Sequence, residues 1–125
     1  MKKAMMVAKA AKPLGPYSHA VIANGFVYVS GQGPANPQTG LLPATIQEQV
    51  KQTLENIKTI LEGVGSSLEQ VVKVNAYLSD VANFGEYNQV YRTFFTHDFP
   101  ARTTIGCTML EAEMLVEIDC VAVLL

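Results

Sequence analysis

The C-terminal segment constrains the fold more than any other part of the chain, because apolar residues occupy both of its alternating positions. One set is Val116, Ile118, Cys120, Ala122 and Leu124, and the other is Leu115, Glu117, Asp119, Val121, Val123 and Leu125. Since successive side chains of a strand point to opposite faces of a sheet, neither face suits water. The segment predicts a strand in a sheet that helices cover on one face and neighbouring subunits on the other.

The composition agrees with a globular chain that associates with copies of itself. It has 125 residues, 49% hydrophobic and 16% charged, with 9 basic against 11 acidic residues and a net charge of −2. A chain of this size buries enough surface to fold as one domain, residues 1–125, without disulfide or metal support. The charged residues are too few to solvate the whole surface of a monomer, so we expect an oligomer.

Several classes of partner are disfavoured by what the sequence lacks. Only Arg92 and Arg102 are arginine and the lysines are scattered, whereas binding to nucleic acid needs clustered basic residues. The two cysteines form no CxxC pair, and no apolar run approaches the ~18 residues of a membrane span. The segment Gly31-Gln32-Gly33 lacks the third glycine of a dinucleotide motif. We therefore expect a cytoplasmic protein with no metal, nucleotide cofactor, membrane or nucleic-acid partner.

Turn and cap signals place the first elements. Asn24-Gly25 between two β-rich runs predicts a hairpin over residues 20–31, because these residues adopt positive φ readily. Thr45 and Glu48 form a capping box, and the apolar residues that follow at helical spacing predict a helix ending at Gly63 or Gly65.

The second half of the chain completes the order ββαβαββ. Alternation predicts a strand over 71–78, with Val72 on the face of Val74. An aromatic stripe from 84 to 95 predicts a helix with Asn83 as its N-cap, and two strands follow near 102–107 and 114–124. Two helices are too few to cover both faces, so we expect an α+β fold with both helices on one face of a mixed sheet.

Three side chains are candidates for chemistry. Arg102 begins a strand on a mostly apolar face, with Thr104 on the same face, and requires an anion, either a carboxylate of the protein or one of a substrate. Glu117 lies between Val116 and Ile118, where lost hydration raises a carboxyl pKa and a nearby Arg102 lowers it; its alternative role is a structural pair with a lysine. Tyr17 follows the Gly15-Pro16 turn and either lines a site or packs as a core aromatic.

Five segments together resemble the RidA (YjgF) family of reactive intermediate deaminases over nearly the whole chain. They are Gly15-Pro16-Tyr17-Ser18, Val29-Ser30-Gly31-Gln32, Asn36-Pro37-Gln38-Thr39-Gly40, Phe99-Pro100-Ala101-Arg102 and Val116-Glu117-Ile118-Asp119. The resemblance implies a chorismate-mutase-like ββαβαββ subunit and a homotrimer around an inner barrel of sheets. It also implies clefts between subunits that hydrolyse 2-imino acids, formed from enamines such as 2-aminoacrylate, to 2-oxo acids and ammonia without a cofactor.

The resemblance also implies roles for individual residues. Arg102 would hold the substrate carboxylate, Glu117 would activate water, and Tyr17 would line the cleft from the neighbouring chain. The remaining substrate-binding groups would be Ser30, Gly31, Asn88 and the backbone N–H of Thr104. The chain departs from the family pattern at His19, at Thr104 and at Leu110-Glu111, where acidic groups bordering the cleft would disfavour a second carboxylate on the substrate.

Other functions stay open at this point. The chain fits a non-catalytic 2-oxo-acid binding or regulatory protein, and it fits a deaminase of one specialised pathway intermediate. An RNA-cleaving function is disfavoured by the net charge of −2. A chorismate mutase is disfavoured because a dianionic substrate would need several cationic groups.

Overall fold

A six-stranded sheet carries both helices on one face in the computed structural model, which describes residues 1–125. The strands are β1 (Lys3–Met5), β2 (Ala20–Ala23), β3 (Phe26–Gln32), β4 (Val71–Leu78), β5 (Ala101–Gly106) and β6 (Val116–Val123), and the helices are α1 (Ile46–Gly63) and α2 (Phe84–Phe94). The strand order is β1-β2-β3-β6-β4-β5, and only β4 and β5 are parallel neighbours. The predicted α+β class with two helices and a mixed sheet is confirmed.

Strand β1 is an addition to the predicted order ββαβαββ. It pairs antiparallel with β2, with Ala4 opposite Val21. Three residues that include a lysine are too few to show the alternation by which strands are predicted, so the pattern gave no signal here. The strand forms because the hairpin of β2 and β3, which follows it in the chain, offers an open edge.

The two strongest local predictions are confirmed. Asn24 and Gly25 have φ of 51° and 81°, so both central residues of the hairpin turn are left-handed, as a type I′ turn requires. The Thr45 hydroxyl accepts a hydrogen bond from the Glu48 N–H at 3.2 Å and donates one to the Glu48 carboxylate at 3.0 Å. Helix α1 ends at Gly63, within the predicted range.

Asn83 takes the predicted N-cap position of α2, but its side chain makes no capping hydrogen bond. Its φ of −82° and ψ of 2° belong to a single-turn 3-10 helix, residues 81–83, that leads into α2. The capping carboxylate is instead Asp80, which accepts a hydrogen bond from the Ala82 N–H at 2.9 Å.

The core lies between the helices and one face of the sheet. The predicted inner set of β6 is buried from Val116 to Ala122, against Leu54 and Ile57 of α1 and Tyr87 of α2. On β4 an irregularity between Val71 and Lys73 changes the alternation. Val71 is buried and Val72 is 43% exposed, so the prediction that Val72 shares the face of Val74 is wrong.

The opposite face of the sheet, here called the open face, has no cover within the chain. It exposes large apolar side chains on three strands: Phe26 and Tyr28 on β3, Val72 on β4 and Ile105 on β5. The half-buried Val121 of β6 lies among them. Neither helix has the length and hydrophobicity needed to cross a membrane. The apolar character of this face is what the alternation of the C-terminal segment predicted.

Candidate active site

Five of the seven predicted site residues line two cavities, and Ser30 and Thr104 line neither. The key charged groups of the two cavities lie on opposite faces of the sheet. One cavity, of about 230 Å³, contains Arg102 and Asn88; it is named the arginine cavity. The other, of about 580 Å³, contains Tyr17, Gly31 and Glu117; it is named the glutamate cavity. Each cavity holds one of the two charged groups that the sequence singled out.

Arg102 lies at the start of β5 over the aromatic face of α2. Its guanidinium carbon is 4.7 Å from the ring centre of Tyr91 and 5.2 Å from that of Tyr87. Its only hydrogen bond within the chain is a long one, 3.5 Å, to the Tyr87 hydroxyl. The one ion pair of the chain joins His97 and Asp98, so no carboxylate neutralises Arg102. An arginine stacked on tyrosines and lacking a counter-ion is suited to bind an anion from outside the chain.

Thr104 lies two residues beyond Arg102 on the same face of β5. The strand is the edge of the sheet, and the N–H of Cys107 donates to the Leu78 carbonyl of β4. Because alternate residues of a parallel edge strand point their N–H groups towards and away from the neighbour, the N–H of Thr104 points off the sheet. The backbone N–H of Thr104 is therefore free of the sheet, as the substrate-binding role expected for it requires.

Glu117 belongs to the open face, opposite Tyr77 of β4. It is half-buried, and no lysine or arginine lies within 4.0 Å of its carboxylate. Burial raises the pKa of Glu117, and the negative charge of Asp119 raises it further. A β-carbon on Gly31 would collide with the Glu117 carboxylate, so any other residue at this position would displace that carboxylate.

Asp119, which the sequence analysis did not assign to the site, is fixed beside Glu117. It lies two residues along β6 on the same face, and its carboxylate accepts hydrogen bonds from the Asn75 amide at 2.9 Å and the Tyr77 hydroxyl at 2.8 Å. The hydrogen bond to Asp119, together with burial, raises the pKa of Tyr77 to about 12. Tyr77 therefore stays a neutral donor, and two hydrogen bonds fix the position of the second carboxylate.

Tyr17 and Ser30 have different surroundings. Tyr17 is 44% exposed and lines the glutamate cavity, so it is not a core aromatic; its hydroxyl accepts a hydrogen bond from the Leu14 N–H at 3.1 Å. The Ser30 hydroxyl donates to the Ser18 carbonyl at 2.6 Å, and Ser30 lines neither cavity. Within one chain, Ser30 fixes the strand next to Tyr17 rather than facing a cavity.

Polar residues on α1 hold the walls of the glutamate cavity, and the sequence analysis did not single them out. The Asn56 amide donates to the carbonyls of Gly33 and Ala35 at 3.0 and 2.8 Å. The Gln49 amide donates to the Glu113 carbonyl at 3.0 Å, and its oxygen accepts from the Leu115 N–H at 2.8 Å. The sequence signal for Gln49 and Asn56 was their position on the apolar, buried side of the predicted helix. A buried amide there requires a hydrogen-bond partner from another part of the chain.

His19 holds the N-terminal segment against the same cavity. It is 3% exposed, its Nδ1 accepts a hydrogen bond from the Val7 N–H at 2.8 Å, and its Nε2 lies 2.7 Å from the Ala11 carbonyl. Both ring nitrogens therefore contact residues 7–11, which gives His19 a structural role. No cluster of three His, Cys, Asp or Glu side chains is arranged to hold a metal.

The structure does not bring Arg102 and Glu117 together within one chain. Arg102 pairs in register with Val74 of the buried face, whereas Glu117 pairs with Tyr77 of the open face. The expectation that a nearby Arg102 lowers the pKa of Glu117 is therefore wrong for the single chain. Leu110 and Glu111, where the chain departs from the family pattern, border the glutamate cavity.

Comparison with known proteins identifies the family. The family model described as Endoribonuclease L-PSP matches residues 7–124. The chain belongs to this family, the Rid (YjgF) family. Among its relatives, a RutC family protein of Pyrococcus horikoshii is 42% identical over 98% of this chain and 98% of its own length.

Solved structures of the Rid family share the fold. A Rid family protein of Yersinia pestis superposes with a TM-score of 0.93 at 35% identity, covering 99% of this chain and 100% of its own. E. coli TdcF, solved with bound serine, superposes with a TM-score of 0.91 at 33% identity, covering 97% of this chain and 98% of its own. The fold predicted from the family resemblance is therefore confirmed at the level of the subunit.

Proposed function

We propose that the protein hydrolyses small 2-imino acids, in equilibrium with their enamines, to 2-oxo acids and ammonia. The observation that carries this proposal is the pair of uncompensated groups: Arg102 without a carboxylate and Glu117 without a cation. The arginine fits the carboxylate of such a substrate, and a carboxyl with a raised pKa fits proton transfer near neutral pH.

The active site forms between copies of the chain in this proposal. Since Arg102 and Glu117 lie on opposite faces, one copy supplies the arginine cavity and a neighbour supplies Glu117 and Tyr17. The open face, with Tyr28 46% and Ile105 48% exposed, is the surface that the neighbours cover. A closed ring of three copies, with these faces lining an inner barrel, gives three equivalent clefts.

The reaction balances with the groups available. Arg102 holds the substrate carboxylate with two parallel hydrogen bonds, which orients the imine carbon. Ionised Glu117 accepts a proton from water as the water oxygen bonds to that carbon, and passes the proton to the imine nitrogen. Glu117 then accepts the proton of the new hydroxyl group and passes it to the same nitrogen. The carbon–nitrogen bond breaks as the carbon–oxygen double bond forms, and ammonia leaves. Asn88 and the free N–H of Thr104 are the remaining polar groups for the substrate.

A solved relative supports the choice of ligand. E. coli TdcF was solved with bound serine. Serine carries a carboxylate and a nitrogen on the adjacent carbon, which are the two groups that distinguish a 2-imino acid. The description of the family model names an endoribonuclease, but a net charge of −2 and scattered lysines do not favour a nucleic-acid surface.

The test uses two variants that are each expected to be inactive. Arg102→Ala removes the carboxylate anchor, and Glu117→Gln removes the base. Refolded together in equal amounts, they form some clefts with both groups intact, about one quarter if chains mix at random in a ring with one neighbour on each side. Hydrolysis of 2-iminobutyrate, generated in place by an amino-acid oxidase, is expected to return to about that fraction of the wild-type rate.

The matched control mixes Arg102→Ala with the double variant Arg102→Ala/Glu117→Gln. This mixture has no Arg102 in any cleft, so imine hydrolysis is expected to stay absent. Full activity of either single variant would contradict the proposed roles. A mixture that stays inactive while forming hybrids would contradict the shared site. Binding of 2-oxobutyrate by a wild type that hydrolyses no imine would instead favour a 2-oxo-acid binding protein.

A further inference from the structure

The chain buries three side-chain hydroxyl oxygens that have no hydrogen-bond partner: those of Thr53, Tyr91 and Thr104. Two of the three lie beside Arg102. The Tyr91 ring centre is 4.7 Å from the guanidinium carbon, and Thr104 is two residues from Arg102 on the same strand face. Buried hydroxyl groups in folded proteins nearly always have a partner, because an unpaired one destabilises the fold. The unpaired phenol of Tyr91, next to Arg102, therefore requires an explanation.

The Tyr91 hydroxyl has no hydrogen-bond acceptor in the free chain. The nearby guanidinium of Arg102 has donors and no acceptor, so it cannot receive the phenol proton of Tyr91. Burial raises the pKa of Tyr91, so the phenol keeps that proton. Tyr91 also lines the arginine cavity together with Asn88 and Arg102. Arg102 therefore has no carboxylate partner, and the phenol of Tyr91 beside it has no acceptor for its proton.

We propose that the Tyr91 hydroxyl is a further ligand-binding group, which donates a hydrogen bond to the carboxylate held by Arg102. The inference rests on the proposed carboxylate role of Arg102. A carboxylate has two oxygens with several acceptor positions, so it accepts from the guanidinium and the phenol at once. The phenol is shielded from solvent in the free chain, and it becomes reachable when the Arg102 side chain moves from the ring towards the ligand. The ligand class is a small 2-oxo or 2-imino acid.

The test is Tyr91→Phe, which removes one oxygen and keeps the ring on which Arg102 stacks. Calorimetry measures the affinity for 2-oxobutyrate, and thermal unfolding at the same protein concentration measures the Tm. The affinity is expected to fall about tenfold, as for loss of one hydrogen bond to a charged group. The Tm is expected to stay the same or rise, because the removed hydroxyl has no partner in the free chain.

Thr53→Val is the matched control, since it removes the third unpaired hydroxyl, from a buried position of α1 that lines neither cavity. It is expected to leave both the affinity and the Tm unchanged or the Tm slightly higher. A loss of affinity in Tyr91→Phe but not in Thr53→Val is therefore specific to the Tyr91 hydroxyl and is not a general effect of removing an unpaired hydroxyl.

Two results would overturn the inference. Equal affinity of Tyr91→Phe and wild type would show that the phenol does not contact the ligand. A lower affinity accompanied by a lower Tm would show a structural hydroxyl. If wild type hydrolyses 2-iminobutyrate and either result is found, only the role of Tyr91 is lost. If wild type neither binds 2-oxobutyrate nor hydrolyses the imine, the proposed function fails and the inference fails with it.

Discussion

Asp119→Asn is expected to lower the pKa of Glu117. The two carboxylates lie on one face of β6 and are separated by Ile118. The substitution removes the charge of Asp119 while keeping a side chain of the same shape. An amide at this position still accepts the hydrogen bond from Tyr77, and the Asn75 amide can turn its oxygen towards the new amide N–H. The change is therefore chiefly electrostatic.

The size of the effect follows from the spacing of residues in a strand. Two residues along a strand separate the charges by about 7 Å, since each residue rises about 3.3 Å. The repulsion is then about 0.6 kcal/mol at the dielectric constant of water and about 2.4 kcal/mol at an effective value of about 20. Because Glu117 is only half-buried, solvent screening keeps the repulsion nearer the lower figure, about 1 kcal/mol.

The assay is a carbon-13 NMR titration of the side-chain carboxyl groups of glutamate. The Glu117 signal is assigned by its absence from Glu117→Gln, and its titration midpoint is compared between wild type and Asp119→Asn. Tyr77→Phe is the matched control, because it removes one hydrogen bond from Asp119 and leaves its charge in place. The midpoint of Tyr77→Phe should stay above that of Asp119→Asn.

A midpoint in Asp119→Asn equal to or above the wild-type value would refute this reasoning and leave burial as the whole cause of the raised pKa. The expected shift also has a kinetic consequence under the proposed function. Since the base must be ionised, the acidic limb of kcat/KM for imine hydrolysis should move to lower pH in Asp119→Asn.

Two further predictions concern stability. Because burial and Asp119 raise the folded-state pKa of Glu117 above its unfolded value, ionised Glu117 destabilises the fold at neutral pH. Glu117→Gln is therefore expected to raise the urea midpoint at pH well above that pKa, with the gain vanishing below about pH 4; a gain independent of pH would contradict this. His19→Ala removes two hydrogen bonds to the segment from Val7 to Ala11 and should cost about 1 to 3 kcal/mol. It should also speed hydrogen exchange of the Val7 amide, whereas unchanged exchange would show that His19 does not hold this segment.

Much of the fold follows from local signals. Asn24-Gly25 predicts its turn because few residue pairs adopt positive φ twice, and Thr45 predicts a helix start because its hydroxyl meets the Glu48 N–H. The capping hydrogen bond expected of Asn83 is absent, because asparagine suits a 3-10 turn as well as a cap. The exposure of Val72 depends on an irregular pairing of β4 with β6, and such pairing has no local signature.

The candidate site was only partly predictable, because its layout depends on strand order. The period of two predicts which residues share a face within a strand, and it correctly groups Arg102 with Thr104 and Glu117 with Asp119. It does not reveal that β4 separates β5 from β6, nor that Arg102 joins the buried face while Glu117 joins the open one. Those facts arise from contacts between distant segments.

The strand order also divides the site into a stiff part and an adaptable part. Glu117 lies on β6, which is paired on both sides by β3 and β4, whereas Arg102 lies on β5 at the edge, paired on one side only. Elements with fewer hydrogen-bonded neighbours open and shift at lower free energy. Under the proposed function, sequence change near the edge strand alters which molecules Arg102 binds, while Glu117, the proposed base, keeps its position.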